Sequence, residues 1–371
     1  MSFYLMPVIT AIILFPLAAF LLSIPYAAWQ YHVYGSISKF KLLIVFSFIF
    51  YLLCAYFLII LPLPDKNFVA HLRTPWCQLV PFNALHYFIT HTSWRPLEFS
   101  TYLTAFKQNA FIQPFFNLVL TIPLGVYLRY LTKWSLPKII LASFLLSLFF
   151  ELTQLSGLYF IYPRPYRLFD VDDLILNTSG GVFGYLLEPM LTKLFPSIDQ
   201  LNQLERNDRD TASFWRRLTA LTVDLLIFNL GFDLLALLNP NWGLTNLSSF
   251  IVGVSLYFIA LPYYWQGATL GKRLVKIKLV NADETPIKLP ALISRQIWLH
   301  GLGLANLHYL MPTIYQHFTA AHQQYRVFYL LIFIIAILVL GLFFINAVIL
   351  IINKKRRIFY EYLTHTKEIG Y

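Results

Sequence analysis

The sequence predicts an all-α, polytopic helical membrane protein of about nine transmembrane helices in two modules, five plus four. Three observations carry this. Hydrophobic residues fill 58% of the 371 positions and charged residues only 12%, with a mean hydropathy of +0.63. The apolar runs last about 20 residues, the length that crosses a hydrocarbon core as a helix. They do not break into alternating segments of about ten residues, as the strands of a membrane barrel do. A water-soluble domain is excluded by this composition.

The elements follow in order. The first run, 3–28, has no Lys or Arg before it and so lacks the basic start of a secretory signal; it reads as a retained span. The second span is 40–62. The outer loop 63–109 is long and aromatic, with Trp76, Phe82, Phe88 and Trp94 among His71, His86 and His91, which suits a segment lying at headgroup level. Spans at 110–131, 139–160 and 173–195 complete a first module, 1–195. A polar cytoplasmic linker, 196–212, carries Asp199, Glu205, Arg206, Asp208, Arg209 and Asp210. The second module, 213–371, has spans at 216–238, 246–265, 298–316 and 326–352. Between its second and third spans Lys276, Ile277, Lys278 and Leu279 alternate and Asn281–Thr285 turns, a β-like excursion. The span 298–316 is the least apolar, with His300, Asn306, His308 and Pro312. It is retained because without it the basic run Lys354, Lys355, Arg356 and Arg357 would lie outside.

Charge placement orients the chain, N-terminus outside and C-terminus inside. All but seven of its 28 Lys and Arg then fall in inner loops and tail; the exceptions are Lys66, Arg73, Arg95, Lys107, Arg164, Arg167 and Arg326. This is the positive-inside bias. The net charge of +11 therefore reports topology and anionic lipid, not nucleic acid. Membrane lipids are the expected partners; the oligomeric state is left open. Cys54 in a span and Cys77 in a loop make neither a disulfide nor a metal pair, so no metal is expected.

Polar residues three or four apart share a helix face. The third span presents Asn109, Gln113, Asn117 and Thr121; the fourth, Ser143, Ser147, Glu151 and Gln154; the fifth, Asp173, Asn177, Gly180 and Gly184. Counted from the outer ends, Asn117, Glu151 and Asn177 reach similar depth in the outer half. Three stripes thus point to one outward-opening pocket, with Arg164 or Arg167 at its rim and Asp170 beside it. A charge in hydrocarbon costs about 3 kcal/mol or more, which makes Glu151 the strongest functional candidate. The hydroxyls and amides can equally hold a bundle together, and Gly180, Gly181 and Gly184 read best as close-packing positions. The Arg/Asp loop reads equally as a surface salt-bridge cluster. In the second module Asp224 lies inside a span and needs a partner, with Arg216 or Arg217 about two turns away; a structural ion pair and an ion-path carboxylate both remain open. Asp233 reads as solvated.

Catalytic signatures are missing: no zinc-protease motif, nucleophile elbow or phosphate-cradling loop. His86 and His91, like His317 and His322, read as interfacial. No cofactor is expected. Carboxylates beside arginines could serve phosphoester chemistry or clamp a phosphate or sugar, and residue type does not separate these.

Residues 78–187 resemble the VanZ family. The matching positions are Leu79–Phe82, Asn117, Pro123, Gly125, Glu151 and Gln154, then Arg167, Asp170, Asp173, Asn177, Gly180, Gly181 and Gly184 within RLFDVDDLILNTSGGVFG. The resemblance implies a bacterial cell membrane and resistance to glycopeptide antibiotics, chiefly lipid-tailed teicoplanin; it implies no particular reaction. Residues 213–371 resemble the RDD family of membrane domains. Arg217 and Asp224 match its opening, Thr269, Gly271, Lys272 and Arg273 its middle signature, and Arg295 follows. Asp283-Glu284 stands where the family has Asp-Gly, and Glu361 replaces its closing Asp. This resemblance implies a part in transport.

Three functions therefore compete. The first is binding or handling of a lipid-linked cell-wall precursor or a lipoglycopeptide in a pocket of Asn117, Glu151, Gln154, Arg164, Arg167, Asp170, Asp173 and Asn177. The second is an intramembrane enzyme acting on a phospholipid or polyprenyl-linked substrate. The third is a transporter using Asp224, with Arg217, Lys272, Arg273 and Glu361 around it. The missing motifs favour the first over the second. The absence of obvious half-length spans ranks the third below the first.

Overall fold

The computed structural model describes residues 2–239, 243, 246–320, 323–352 and 357–371. His322, Lys354, Lys355, Arg356 and the side chain of His308 fall outside the described residues. The chain divides into two compact units, one of residues 1–21 with 39–201, the other of residues 22–38 with 202–371.

Among the described residues, seven helices are long and apolar enough to cross a membrane: Leu5–Tyr34, Lys39–Ile60, Asn109–Thr132, Leu136–Leu155, Phe214–Leu238, Leu247–Tyr264 and Tyr325–Ile349. They overlie seven of the nine expected spans, and the protein is an all-α polytopic membrane protein. The other two positions are helical but less apolar. Val171–Leu191 carries Asp172, Asp173 and Glu188. The run 289–320 is helical without a break, and its middle, Ile297–Leu310, is a π-helix.

In the first unit, helices Asn109–Thr132, Leu136–Leu155 and Val171–Leu191 pack into one bundle. Small residues set the spacing. A Cβ on Gly180 would overlap the Leu118 carbonyl oxygen, one on Gly184 that of Ile122, and one on Gly125 that of Gly181. Gly181 faces the Ser143 hydroxyl. The fourth span was expected to run to 160, but its helix stops at Leu155. Gly157, Leu158, Tyr159 and Phe160 all have φ between 57° and 67°. Such a left-handed turn is costly for side chains other than glycine, so neighbours must hold it. Leu158 is buried with Ile59, Val69, Phe150 and Tyr162, and the Tyr159 hydroxyl meets that of Thr153 at 3.1 Å. The outer loop contains helix Asn83–His91 and a two-residue strand, β1 (Cys77–Gln78), paired in parallel with β2 (Phe169–Asp170).

In the second unit the β-like excursion is strand β3 (Ile277–Asn281), antiparallel to β4 (Thr366–Gly370). Glu284 takes φ +67° at the turn, the conformation for which the family's glycine is suited, and its carboxylate pairs with Lys367 at 2.6 Å. The expected linker 196–212 contains a helix, Ile198–Asn207.

Candidate functional site

Glu151 lies one turn above Ser147 on helix Leu136–Leu155 and is 1% exposed. Its Oε2 accepts the backbone N–H of Asp170 at 2.9 Å. Asp170 caps helix Val171–Leu191, its Oδ1 accepting the Asp172 N–H at 2.9 Å. One residue into that helix the geometry splits. Asp173 turns into the bundle, where its Oδ1 accepts the Asn117 amide at 2.5 Å. Asp172 turns the other way. Its two oxygens accept the backbone N–H groups of Phe82 and Ala84 at 2.5 and 2.6 Å. That carboxylate therefore supplies the N-terminal cap that helix Asn83–His91 lacks in its own sequence.

Below this layer the stripes join. Asn177 donates to the Ser147 hydroxyl at 3.0 Å, and the Asn177 carbonyl accepts the Thr121 hydroxyl at 2.5 Å. Asp170 and Asp173 stand close enough to Glu151 to interact with it electrostatically. The structure thus brings Asn117, Glu151, Asp170, Asp173 and Asn177 together. It does not bring the arginines to the acids as ion pairs. Arg167 donates to the Leu61 carbonyl at 3.0 Å and Arg164 to that of Thr74. Arg167 attracts Asp173 only at longer range. Gln154 reaches the Ile59 carbonyl at 3.4 Å. The two arginines and Gln154 thus fasten segment 59–74, because carbonyls at a helix end and in an irregular loop need donors where water is scarce. The expected salt-bridge cluster is replaced by a group of carboxylates with which neither arginine makes an ion pair. Burial pushes the Asp170 carboxyl above its ordinary value, in spite of the Asp172 N–H that stabilises its charge.

Asp172 was absent from the expected pocket. The signal was present, since an acid just after a helix start that leaves the bundle stripe must face something else. Asp172→Ala should strip two N–H groups of their acceptor, a loss of about 1.5–3 kcal/mol per bond to a charged group. Hydrogen exchange followed by mass spectrometry should show residues 82–91 opening while 136–155 stays protected. Unchanged protection at 82–91 would mean that packing alone holds this helix.

The second unit gathers charges of its own. Asp224, 1% exposed, accepts the Tyr257 hydroxyl at 2.8 Å, the Thr269 hydroxyl at 2.5 Å and the Gly271 N–H at 2.7 Å. Its partners are thus neutral donors and not the expected Arg216 or Arg217. Arg216 is enclosed by the carbonyls of Arg209, Val275 and Lys276. Arg217 pairs with Glu361 at 2.9 Å and with Glu368 at 3.4 Å. Arg295 pairs with the same two acids at 3.3 and 2.8 Å, and Lys272 reaches Glu368 at 2.8 Å. Arg273 stacks on the Trp265 ring at 4.0 Å and Asp233 is exposed. Glu368 was not singled out in the sequence. Burial alone would raise its carboxyl, but Lys272, Arg295 and Arg217 outweigh that and hold it well below the usual carboxylate range. Its position in β4, alternating with Thr366, was the available signal, legible only once β4 was known to pair.

This is the geometry of a membrane protein built from two helical units, each with a buried polar centre. Residues 48–193 match the VanZ/LLP1 family and residues 211–364 the RDD family. The chain carries a VanZ-like N-terminal region and a C-terminal RDD domain. It is also similar to the uncharacterized protein YckC of Bacillus subtilis (strain 168), 36% identical over 91 residues, which cover 23% of this chain and 57% of that protein. The match thus spans a little over half of the relative's length. No solved structure matches the chain significantly.

Proposed function

We propose that the first module binds a lipid-tailed ligand of the bacterial envelope, with the headgroup at Glu151, Asp170 and Asp173. The observation that carries this is the convergence of these carboxylates at one end of the bundle, with both nearby arginines committed to backbone carbonyls. Such a pocket favours a headgroup that brings positive charge or hydrogen-bond donors over a bare pyrophosphate. A lipoglycopeptide of the teicoplanin kind meets that requirement, and the VanZ resemblance supports it. In this reading the protein crosses the cytoplasmic membrane nine times, N-terminus outside, and lowers glycopeptide action by holding the ligand. The second module is assigned a supporting role, because the three neutral donors on Asp224 favour a fixed carboxylate over a shuttling one.

Glu151→Gln keeps an acceptor for the Asp170 N–H and removes the ionisable group. It is expected to abolish protection against teicoplanin with protein level unchanged, and to weaken binding by about tenfold or more, about 1.4 kcal/mol. Equal susceptibility of null and wild-type strains would sink the resistance reading. Acidification gives a second arm. An aspartate raised by burial loses its charge at a higher pH than an ordinary one, so affinity for a cationic headgroup should fall as pH is lowered toward mildly acidic values.

A further inference from the structure

Beside the carboxylates lies a cavity of about 370 Å³ between helices Asn83–His91, Asn109–Thr132 and Val171–Leu191. Leu85 and Phe88 roof it, Phe111 and Leu118 form one wall, and Leu176 with Asp172 the other. Its walls are apolar except at Asp172, and the oxygens of that carboxylate accept the Phe82 and Ala84 N–H groups. Away from Asp172 the lining side chains offer no donor or acceptor, and a polar solute would lose its hydrogen bonds there; each Asp172 oxygen accepts one N–H and keeps a lone pair for a further donor at that end. From Ala110 to Leu118 the wall runs about 12 Å, so the stated volume admits about one hydrocarbon chain and not two. The Asp172 end adjoins Asp170, whose Oδ1 accepts the Asp172 N–H at 2.9 Å, so two carboxylates stand there to complement a positive charge, while Asp173 faces the bundle.

We infer that this cavity holds the single hydrocarbon chain of an amphiphile whose cationic headgroup rests at the Asp172 end. The inference rests on the reading of the neighbouring carboxylates as the headgroup site, and it adds the place, number and chemistry of the tail. It also gives Asp172 a reason to be acidic. The clip that docks helix Asn83–His91 closes the roof over the tail.

The test uses the full chain in nanodiscs of zwitterionic lipid and dodecylamine with a diazirine midway along its chain, with dodecyl sulfate carrying the same group as control. Photolabelled residues are located by mass spectrometry. Adducts should concentrate on Phe88, Phe111, Leu118 and Leu176, be competed by unlabelled dodecylamine, and be favoured by the amine over the sulfate. Leu176→Trp, and independently Ala110→Trp from the opposite wall, should each cut them about tenfold or more. Helical circular dichroism and elution volume check that both variants fold; Leu141→Trp, on an exposed face, should change nothing. Cavity adducts no denser than those at Leu141, or unaffected in both filled variants, would overturn the inference. The headgroup reading is separable. If Glu151→Gln and Asp170→Asn leave the preference for the amine intact while cavity labelling persists, the headgroup assignment fails and the tail groove stands.

Discussion

Glu361→Ala is expected to destabilise the second module by about 3–5 kcal/mol, the cost of leaving a buried charge without its partner. Glu361 is fully buried, accepts both Arg217 and Arg295, and also holds the Ile358 N–H at 3.0 Å. Removing it leaves two guanidinium groups sharing Glu368, which Lys272 already engages. The apparent melting temperature in detergent should drop by roughly 10 °C. Arg217→Ala added to Glu361→Ala should restore part of the loss, because one of the stranded cations goes with it. A single variant that melts like wild type would show that water reaches these groups and screens them.

Gly184→Ala should be nearly as damaging in the first module. The added methyl meets the Ile122 carbonyl oxygen, and the backbone cannot yield without moving helix Asn109–Thr132 as a whole. Gly180→Ala meets the Leu118 carbonyl in the same way. Each should cost about 1–3 kcal/mol as overpacking and separate the pair that brings Asn117 to Asp173. Gly231→Ala supplies the control, since nothing lies within 4 Å of a Cβ built there. Melting curves of the three variants, with ligand binding measured on whatever remains folded, decide this. If Gly184→Ala and Gly231→Ala behave alike, the close helix approach is not what positions the site.

These two cases also mark how far the sequence reads. The glycines at 180, 181 and 184 were legible as packing positions, because four-residue spacing and small size are local properties. The convergence of Asn117, Glu151, Asp173 and Asn177 was legible too, since helix phase and depth follow from residue counts. The direction of the arginines was not. Arg164 and Arg167 sit among aspartates in the chain, yet their hydrogen bonds run to carbonyls about 90 and 106 residues earlier. Electrostatic proximity in sequence does not reveal a distant carbonyl that needs a donor more urgently. Asp172 shows the same effect, being spent on a helix start 88 residues away.

By itself the amino-acid order determined the membrane class, the resemblance of its two halves to two families and the face on which each polar stripe lies. These depend on composition and period, which every short window carries. Only the tertiary structure decided which charges meet. It joined Arg217 and Arg295 to Glu361 and Glu368, added Lys272 to Glu368, gave Asp224 neutral donors in place of arginine, and shaped an open apolar cavity beside the Asp172 carboxylate. The physical reason is that a buried polar group in a membrane protein must be satisfied by whatever the fold brings within hydrogen-bond reach, and that set is long-range.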